Sequence, residues 1–204
     1  MRIEKVTSGL IAVNTYFIIC DDKRAIVIDG GEDYALIKNT AKRLGINITH
    51  ELLTHAHFDH SGNACYLQKD GVKVGISEKD AVKLNEKDSL AKSLGIKYQG
   101  TYPDFTFSDG DILDINGLKI RVMITPGHTD GSACFIIDDV IFSGDTLFFE
   151  SYGRTDFPTG NEDDMKKSVQ RILSLKGNYR VLPGHDEETS LEHERKYNPL
   201  RKIC

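Results

Sequence analysis

The chain alternates short apolar runs with polar turns. Residues 10–20 (LIAVNTYFIIC) and 25–30 (AIVIDG) are two such runs joined by DDKR, which predicts a β-hairpin. Tyr34, Ile37, Ala41 and Leu44 recur at helical spacing, so a helix is predicted over 33–46, ended by Gly45. Residues 48–55 read as a strand that delivers His55 at its end, 62–69 as the start of a helix, and 72–77 as another strand. Residues 78–100 are polar and helical with breaks at Gly95 and Gly100, either a lid or a connection. Strands return at 111–128, a hairpin turning at Asn116-Gly117, and at 132–145, a hairpin turning at Asp138-Asp139. Asn161 is predicted to cap a helix whose first turn carries Glu162, Asp163 and Asp164, charges suited to that end of the helix dipole. A last strand over 179–185 and a closing helix over 189–198 complete the pattern. Two strand-rich halves with interspersed helices predict an α+β fold: two sheets face to face with helices outside, in a single domain over 1–204.

The polar residues that close these apolar runs are of one chemical kind. Asp29 follows AIVI, and His55, His57, Asp59 and His60 follow ELLT. His128 follows VMITPG, Asp145 follows VIFSG, and His185 follows VLPG. Strand ends of one sheet share a rim, so these residues are expected to converge. Buried imidazoles without partners cost free energy, and three of them with a carboxylate in the window 55–60 are tolerable in a core only around a cation. Neutral imidazole and carboxylate are ligands for zinc, iron or manganese. Seven of them exceed one tetrahedral ion and suit two ions that share a bridging carboxylate. A lone histidine is ordinarily a core or surface residue, and His50 and His193 are read that way.

Composition narrows the partners. Hydrophobic residues make up 39% of the 204, enough for a packed core. The net charge of −5 argues against nucleic acid or an anionic membrane as the main partner. The longest apolar stretches are too short to span a bilayer, and the charged start MRIEKVTSGL is not expected to be a signal peptide. Cys20, Cys65, Cys134 and Cys204 are far apart with no C-x-x-C, which predicts reduced structural thiols in a cytoplasmic protein. That includes Cys65, although it lies close after His60.

HAHFDH (55–60), PGH (126–128), SGD (143–145) and PGH (183–185), with Asp29 ahead of them, resemble in order the landmarks of the metallo-β-lactamase superfamily. The resemblance implies a four-layer αββα sandwich with metals at one edge of the sheets. It implies one metal site of His55, His57 and His128, and another of Asp59, His60 and His185. Asp145 would bridge them, and Asp29 would order the ligand loop. YGRTDFPTGN (152–161) further resembles the GRTDF signature of short glyoxalase II-like hydrolases, and ERKYNPL (194–200) their E-R-x-x-N-P ending. Tyr152, Arg154 and Asp156 are expected on a loop beside the metals.

Some residues depart from that pattern. Gly62-Asn63 stands where two glycines are common, and Asn63 is expected to alter access to the site; DGG (29–31) replaces the usual D-P-G. Longer glyoxalase II enzymes carry a C-terminal helical domain that holds glutathione, whereas this chain ends soon after His185. The resemblance implies a hydroxyacylglutathione hydrolase-like thioesterase. Its small-molecule thioester would be attacked by hydroxide held between two divalent ions, zinc foremost and iron or manganese as alternatives. Asp59 is the candidate proton acceptor. The rival reading is a persulfide dioxygenase with one iron on His55, His128 and Asp145, and a further one is a lactone hydrolase. Oligomeric state is left open.

Overall fold

The computed structural model describes residues 1–85 and 87–201; Cys204 lies outside the described residues. The first sheet runs in chain order through β1 (Arg2–Ser8), β2 (Val13–Ile19), β3 (Arg24–Ile28), β4 (Asn47–Leu52), β5 (Lys73–Ser77) and β6 (Phe105–Phe107). Strands β1 to β3 pair antiparallel, and β3 to β6 pair parallel through helical crossovers. Between the parallel strands lie α1 (Tyr34–Leu44) and, after His57, α2 (Phe58–Ser61) and α3 (Ala64–Lys69). The second sheet is built from β7 (Ile112–Ile115), β8 (Leu118–Ile124), β9 (Ala133–Ile137) and β10 (Val140–Gly144), joined by β13 (Arg180–Pro183) and β14 (Thr189–Ser190) in the order 14-13-10-9-8-7. Between β10 and β13 come the small hairpin of β11 (Leu147–Phe148) and β12 (Ser151–Tyr152), then α5 (Glu162–Leu173); α4 (Glu78–Ala81) and α6 (Leu191–Tyr197) complete the helices.

The continuous apolar runs have a simple cause: the central strands are covered on both faces. Ile18, Ile26 and Ile28 face inward against Phe135, Ile137 and Phe142, while their neighbours Phe17 and Val27 face outward under Ile37 of α1 and Leu67 of α3. On the far side Cys134, Ile136 and Ile141 pack under Met165, Val169 and Ile172 of α5. The result is helices, sheet, sheet, helices. Edge-on ring pairs lock the two sheets together, Tyr16 on Phe142 at 5.5 Å and Phe107 on Phe135 at 5.3 Å.

Gly45 and Asn161 end and cap their helices as expected, and Asp33 is a cap the sequence reading did not name. Asp33 Oδ1 accepts from Leu36 N at 2.9 Å, Asn161 Oδ1 accepts from Asp164 N at 2.9 Å, and Gly45 closes α1 in the left-handed conformation. Five strands escape the sequence reading: β11, β12 and β14 are two residues each, and β14 lies where the closing helix is expected to begin. β1 is a half-exposed edge strand of polar residues, and β6 is three residues long. The run 10–20 begins as strand only at Val13, because residues 9–12 turn. Among the described residues of 78–100, the helical elements are the short α4 and a 3-10 turn over Ala91–Leu94. Cys20, Cys65 and Cys134 are free thiols. Among the described residues no helix is long and apolar enough to cross a membrane.

Candidate metal centre

The ligand loops leave both sheets, not the single rim expected. β3 and β4 of the first sheet end in Asp29 and in the segment to His60; β8, β10 and β13 of the second end in the turns to His128, Asp145 and His185. The two sheets meet closely here. A Cβ on Gly144 would lie 2.5 Å from Thr54 Oγ1 across the sheets, and within the second half one on Gly153 would overlap the Asp145 carbonyl oxygen, so only glycine fits at either position.

All seven side chains converge. Donor atoms of His55, His57 and His128 gather within 4.8 Å of one another, as do those of Asp59, His60 and His185 and those of His55, His60 and Asp145. His57 Nδ1 faces His128 Nε2 at 2.9 Å, and His60 Nε2 faces His185 Nε2 at 3.3 Å. Asp59 Oδ2 is 3.2 Å from the Nε2 atoms of both His60 and His185. Asp145 reaches both groups: Oδ1 is 3.4 Å from His60 Nε2, and Oδ2 is 3.5 Å from His128 Nε2 and 3.6 Å from His185 Nε2. Cys65 belongs to none of these clusters.

The donor set fits cations. His55 Nε2 and Asp145 Oδ1 are buried with no hydrogen-bond partner among the described residues, which costs free energy unless an ion takes their lone pairs. Each of four imidazoles is steered by its other nitrogen. His60 Nδ1 meets Asp29 Oδ2 at 2.8 Å, and His128 Nδ1 meets the Arg154 carbonyl at 2.7 Å. His185 Nδ1 meets the Ile11 carbonyl at 3.1 Å, and His55 Nδ1 meets Thr54 Oγ1 at 3.1 Å. A carbonyl or carboxylate there holds N–H on that nitrogen and leaves the inward one a bare donor.

Electrostatics split the ligands into two groups. Burial, reinforced by His128, pushes His57 down to about 3, and burial with His60 and His57 nearby holds His55 well below its ordinary value. Burial alone would raise Asp145, but His60, His128 and His185 outweigh it and bring the carboxyl to about 2. Asp59 is lowered in the same way, burial being overcome by His60 and His185. His60 and His185 are raised, since their carboxylate neighbours outweigh burial. Ionised acids and neutral imidazoles are the states that bind metal, so His55, His57, Asp59 and Asp145 are already in that state, whereas a cation entering at His60 and His185 must displace their protons.

Asp29 sits at φ 52° with both oxygens engaged: Oδ1 accepts from Thr54 N and Oδ2 from Thr54 Oγ1, each at 2.8 Å, besides Oδ2 facing His60. An amide cannot reproduce that pattern, because its NH2 would face a donor. Asp29→Asn should weaken metal at the His60 cluster about 10- to 100-fold while the fold survives. A chelator competition that returns the wild-type affinity would reject the role.

The other expected site residues divide. Arg154 and Asp156 are exposed and paired by two bonds of 2.7 Å, with the Arg154 guanidinium over the Phe157 ring at 3.9 Å. Arg154 lines the cavity, but its link to His128 is the main-chain carbonyl. Asn63 is a correction. It is fully buried, and its Nδ2 donates to the Gly30 carbonyl at 2.8 Å, so it braces the Asp29 turn and controls no access. Tyr152 is another: it packs against the Met123–Ile141 cluster and lines no part of the site cavity. His50 is remote from the clusters, near Phe105. His193 pairs with Glu150 at 2.9 Å and stacks on Phe149. His193→Ala should keep turnover within about twofold of wild type; a collapse in a steady-state assay would show that the tail reaches the chemistry.

Several residues went unseen in the sequence. Asp80, fully buried in α4, accepts from Ala56 N at 3.0 Å and Thr129 Oγ1 at 2.9 Å and so ties the His55–His57 loop to the His128 loop. A cavity of about 500 Å³ opens over His57, Asp59, His128, Asp145 and His185. Its walls are Ile11, Phe58, Leu90, Leu94, Phe148 and Phe157. Phe58 and Phe157 lie inside HAHFDH and GRTDF without being singled out there; the others come from separate loops. Glu194 of the E-R-x-x-N-P tail is also buried, accepting from Glu150 N at 3.1 Å, so this motif anchors the β11–β12 hairpin next to Gly153.

Comparison with known proteins agrees with this architecture. The family model for the metallo-beta-lactamase superfamily matches residues 8–185. Hydroxyacylglutathione hydrolase GloC of Haemophilus influenzae is 34% identical over 98% of this chain and 98% of its own. The crystal structure of BLEG-1 B3 metallo-beta-lactamase superposes with a TM-score of 0.92 at 30% identity, covering 97% of this chain and 98% of that one. TTHA1623 in a di-iron-bound form gives 0.86 at 31%, covering 96% and 98%. With its paired sheets, its convergent histidines and these relatives, the chain belongs to the metallo-beta-lactamase superfamily.

Proposed function

We propose that this metal-dependent hydrolase cleaves thioesters, adding water across an acyl–sulfur bond to give a carboxylate and a thiol. The observation that carries the reading is the floor of the cavity: two ligand clusters with Asp145 between them, and no serine, threonine or cysteine among the described lining residues. With no side-chain nucleophile, water must attack directly. Divalent ions, zinc first among those suited to imidazole and carboxylate, would supply hydroxide at neutral pH and polarise the carbonyl. His55, His57 and His128 would hold one ion, Asp59, His60 and His185 the other, and Asp145 both.

The remaining work falls to the chain. Asp59 lines the cavity and is held ionised, the state a proton acceptor requires. The apolar walls exclude bulk water. A thiol leaves readily because its pKa is about 8.5, so a strong proton donor at the leaving group is unnecessary. None stands in the described lining except the imidazoles, since the one guanidinium there is bound to Asp156. That favours a thioester over an amide, whose amine must be protonated to leave. The name of the Haemophilus influenzae relative points the same way.

Donor atoms of the second cluster also lie within 4.8 Å of one another, a spacing that would hold a second ion. The test is metal analysis of protein purified without added metal, joined to turnover on thioesters, lactones and β-lactams and to oxygen uptake with a persulfide. Thioester turnover with about two ions per chain is expected. Oxygen uptake with a persulfide and no thioester cleavage would replace this reading with the dioxygenase.

A further inference from the structure

The cavity walls carry more information than the metals do. We propose, on the thioesterase reading above, that the substrate is amphipathic: an unbranched apolar acyl chain lies in the 500 Å³ cavity, and the polar thiol half lies in a second cavity beyond Leu90. The first cavity offers apolar surface from six side chains, and its one cation is engaged by Asp156. A charged or hydroxylated acyl group would lose hydration there without gaining partners. Apolar surface also continues outward, because Ile11 is 48% and Leu94 59% exposed at the cavity and the adjacent Leu10 is 77% exposed.

The second cavity, about 250 Å³, keeps apolar surface from Ala56, Leu90 and Pro158 but adds polar side chains that the first lacks, with Lys83 held by Asp80 and Asp130 and Lys87 the other cation. Lys83, Lys87, Asp88, Thr129 and Thr159 line it. It shares His57 and Leu90 with the first, so a substrate whose carbonyl sits at the metal ligands borders both. The partition between them is Leu90, held at φ 69°. Leucine is disfavoured in that left-handed region, where asparagine or glycine is at ease. Such a residue persists where its side chain has a task. Here the task is to separate the apolar compartment from the neighbouring one that carries the polar side chains, supported by packing with Phe58, Ala91 and Tyr98.

The test uses the metal-loaded protein and S-acyl derivatives of N-acetylcysteamine with acetyl, butyryl, hexanoyl and lactoyl groups. Each added methylene should raise kcat/KM about threefold until the cavity is filled, and lactoyl should fall below butyryl. Leu90→Asn, which suits the backbone better than leucine and so should fold, should reduce the hexanoyl-to-acetyl ratio at least about fivefold. Leu94→Asp should do the same from the cavity mouth. Calorimetry with acylmethyl thioethers, whose carbonyl is separated from sulfur by a methylene and cannot be hydrolysed, gives a readout free of turnover; affinity should climb with chain length. Thioester hydrolysis with a flat or falling length profile overturns the amphipathic substrate and leaves the thioesterase reading standing. Length-dependent binding without hydrolysis of any thioester does the reverse.

Discussion

Replacing Asp145 with alanine should empty or scramble both metal positions and lower kcat/KM at least about 10³-fold, roughly 4 kcal/mol of transition-state stabilisation. Asp145 is the carboxylate that approaches His60 with one oxygen and His128 and His185 with the other. Its loss removes a negative charge from a buried cluster of five imidazoles and leaves the two clusters with no shared ligand. Alanine is small enough for the tight contact under Gly153, so the backbone need not move. Elemental analysis after dialysis against metal-free buffer, beside a turnover assay, reads the result. Two ions retained stoichiometrically would refute the bridge.

The second large effect concerns a residue that touches no candidate ligand. Glu51, in β4, is fully buried; its Oε1 accepts from Gly30 N at 2.9 Å, and its Oε2 has no partner among the described residues. Burial pushes the carboxyl up to about 8, against the pull of the Gly30 N–H and with the Asp29 charge adding to the rise. The folded protein therefore carries Glu51 protonated at neutral pH, whereas the unfolded chain ionises it near 4.5. Between those values the native state binds the extra proton, so this contribution to stability is whole below about 4.5 and is lost as pH rises through about 8. Each pH unit of that window is worth about 1.4 kcal/mol. Glu51→Gln keeps an oxygen for Gly30 N and does not titrate. Relative to wild type it should gain on the order of 4 kcal/mol between pH 4.5 and 8.5, read by urea unfolding of both proteins at the two pH values. Titrating histidines are common to both and cancel in the difference. A stability difference that stays constant across that range would mean Glu51 does not hold its proton.

These two residues show what a linear sequence reveals. Asp145 was legible because it closes an apolar run, as do the histidines, and strand ends are where a sheet fold gathers side chains. Glu51 was not, because a carboxylate inside ELLT reads as the solvent side of a strand, and only the three-dimensional cover of α3 and the Asp29–Gly31 turn shows otherwise. β1 and β6 were missed for related reasons: the first is patterned like a loop because one face meets water, and the second is too short to show a period. The cavity walls were invisible because a surface assembled from residues as distant as Ile11 and Phe157 has no signature along the chain. Asn63 misled because a side chain where a second glycine is common suggested altered access, whereas its amide is turned inward to Gly30.

The two ligand clusters each draw on both sheets. His57 and His128 are 71 positions apart, and His60 and His185 are 125 apart. An ion held by either pair thus works as a reversible cross-link closing a very long loop, the kind of closure a flexible chain resists most on entropic grounds. How firmly the halves of the sandwich dock and how tightly metal is kept become one quantity. A loosening substitution at the Tyr16–Phe142 seam, which holds no candidate ligand itself, should announce itself first as a faster loss of metal.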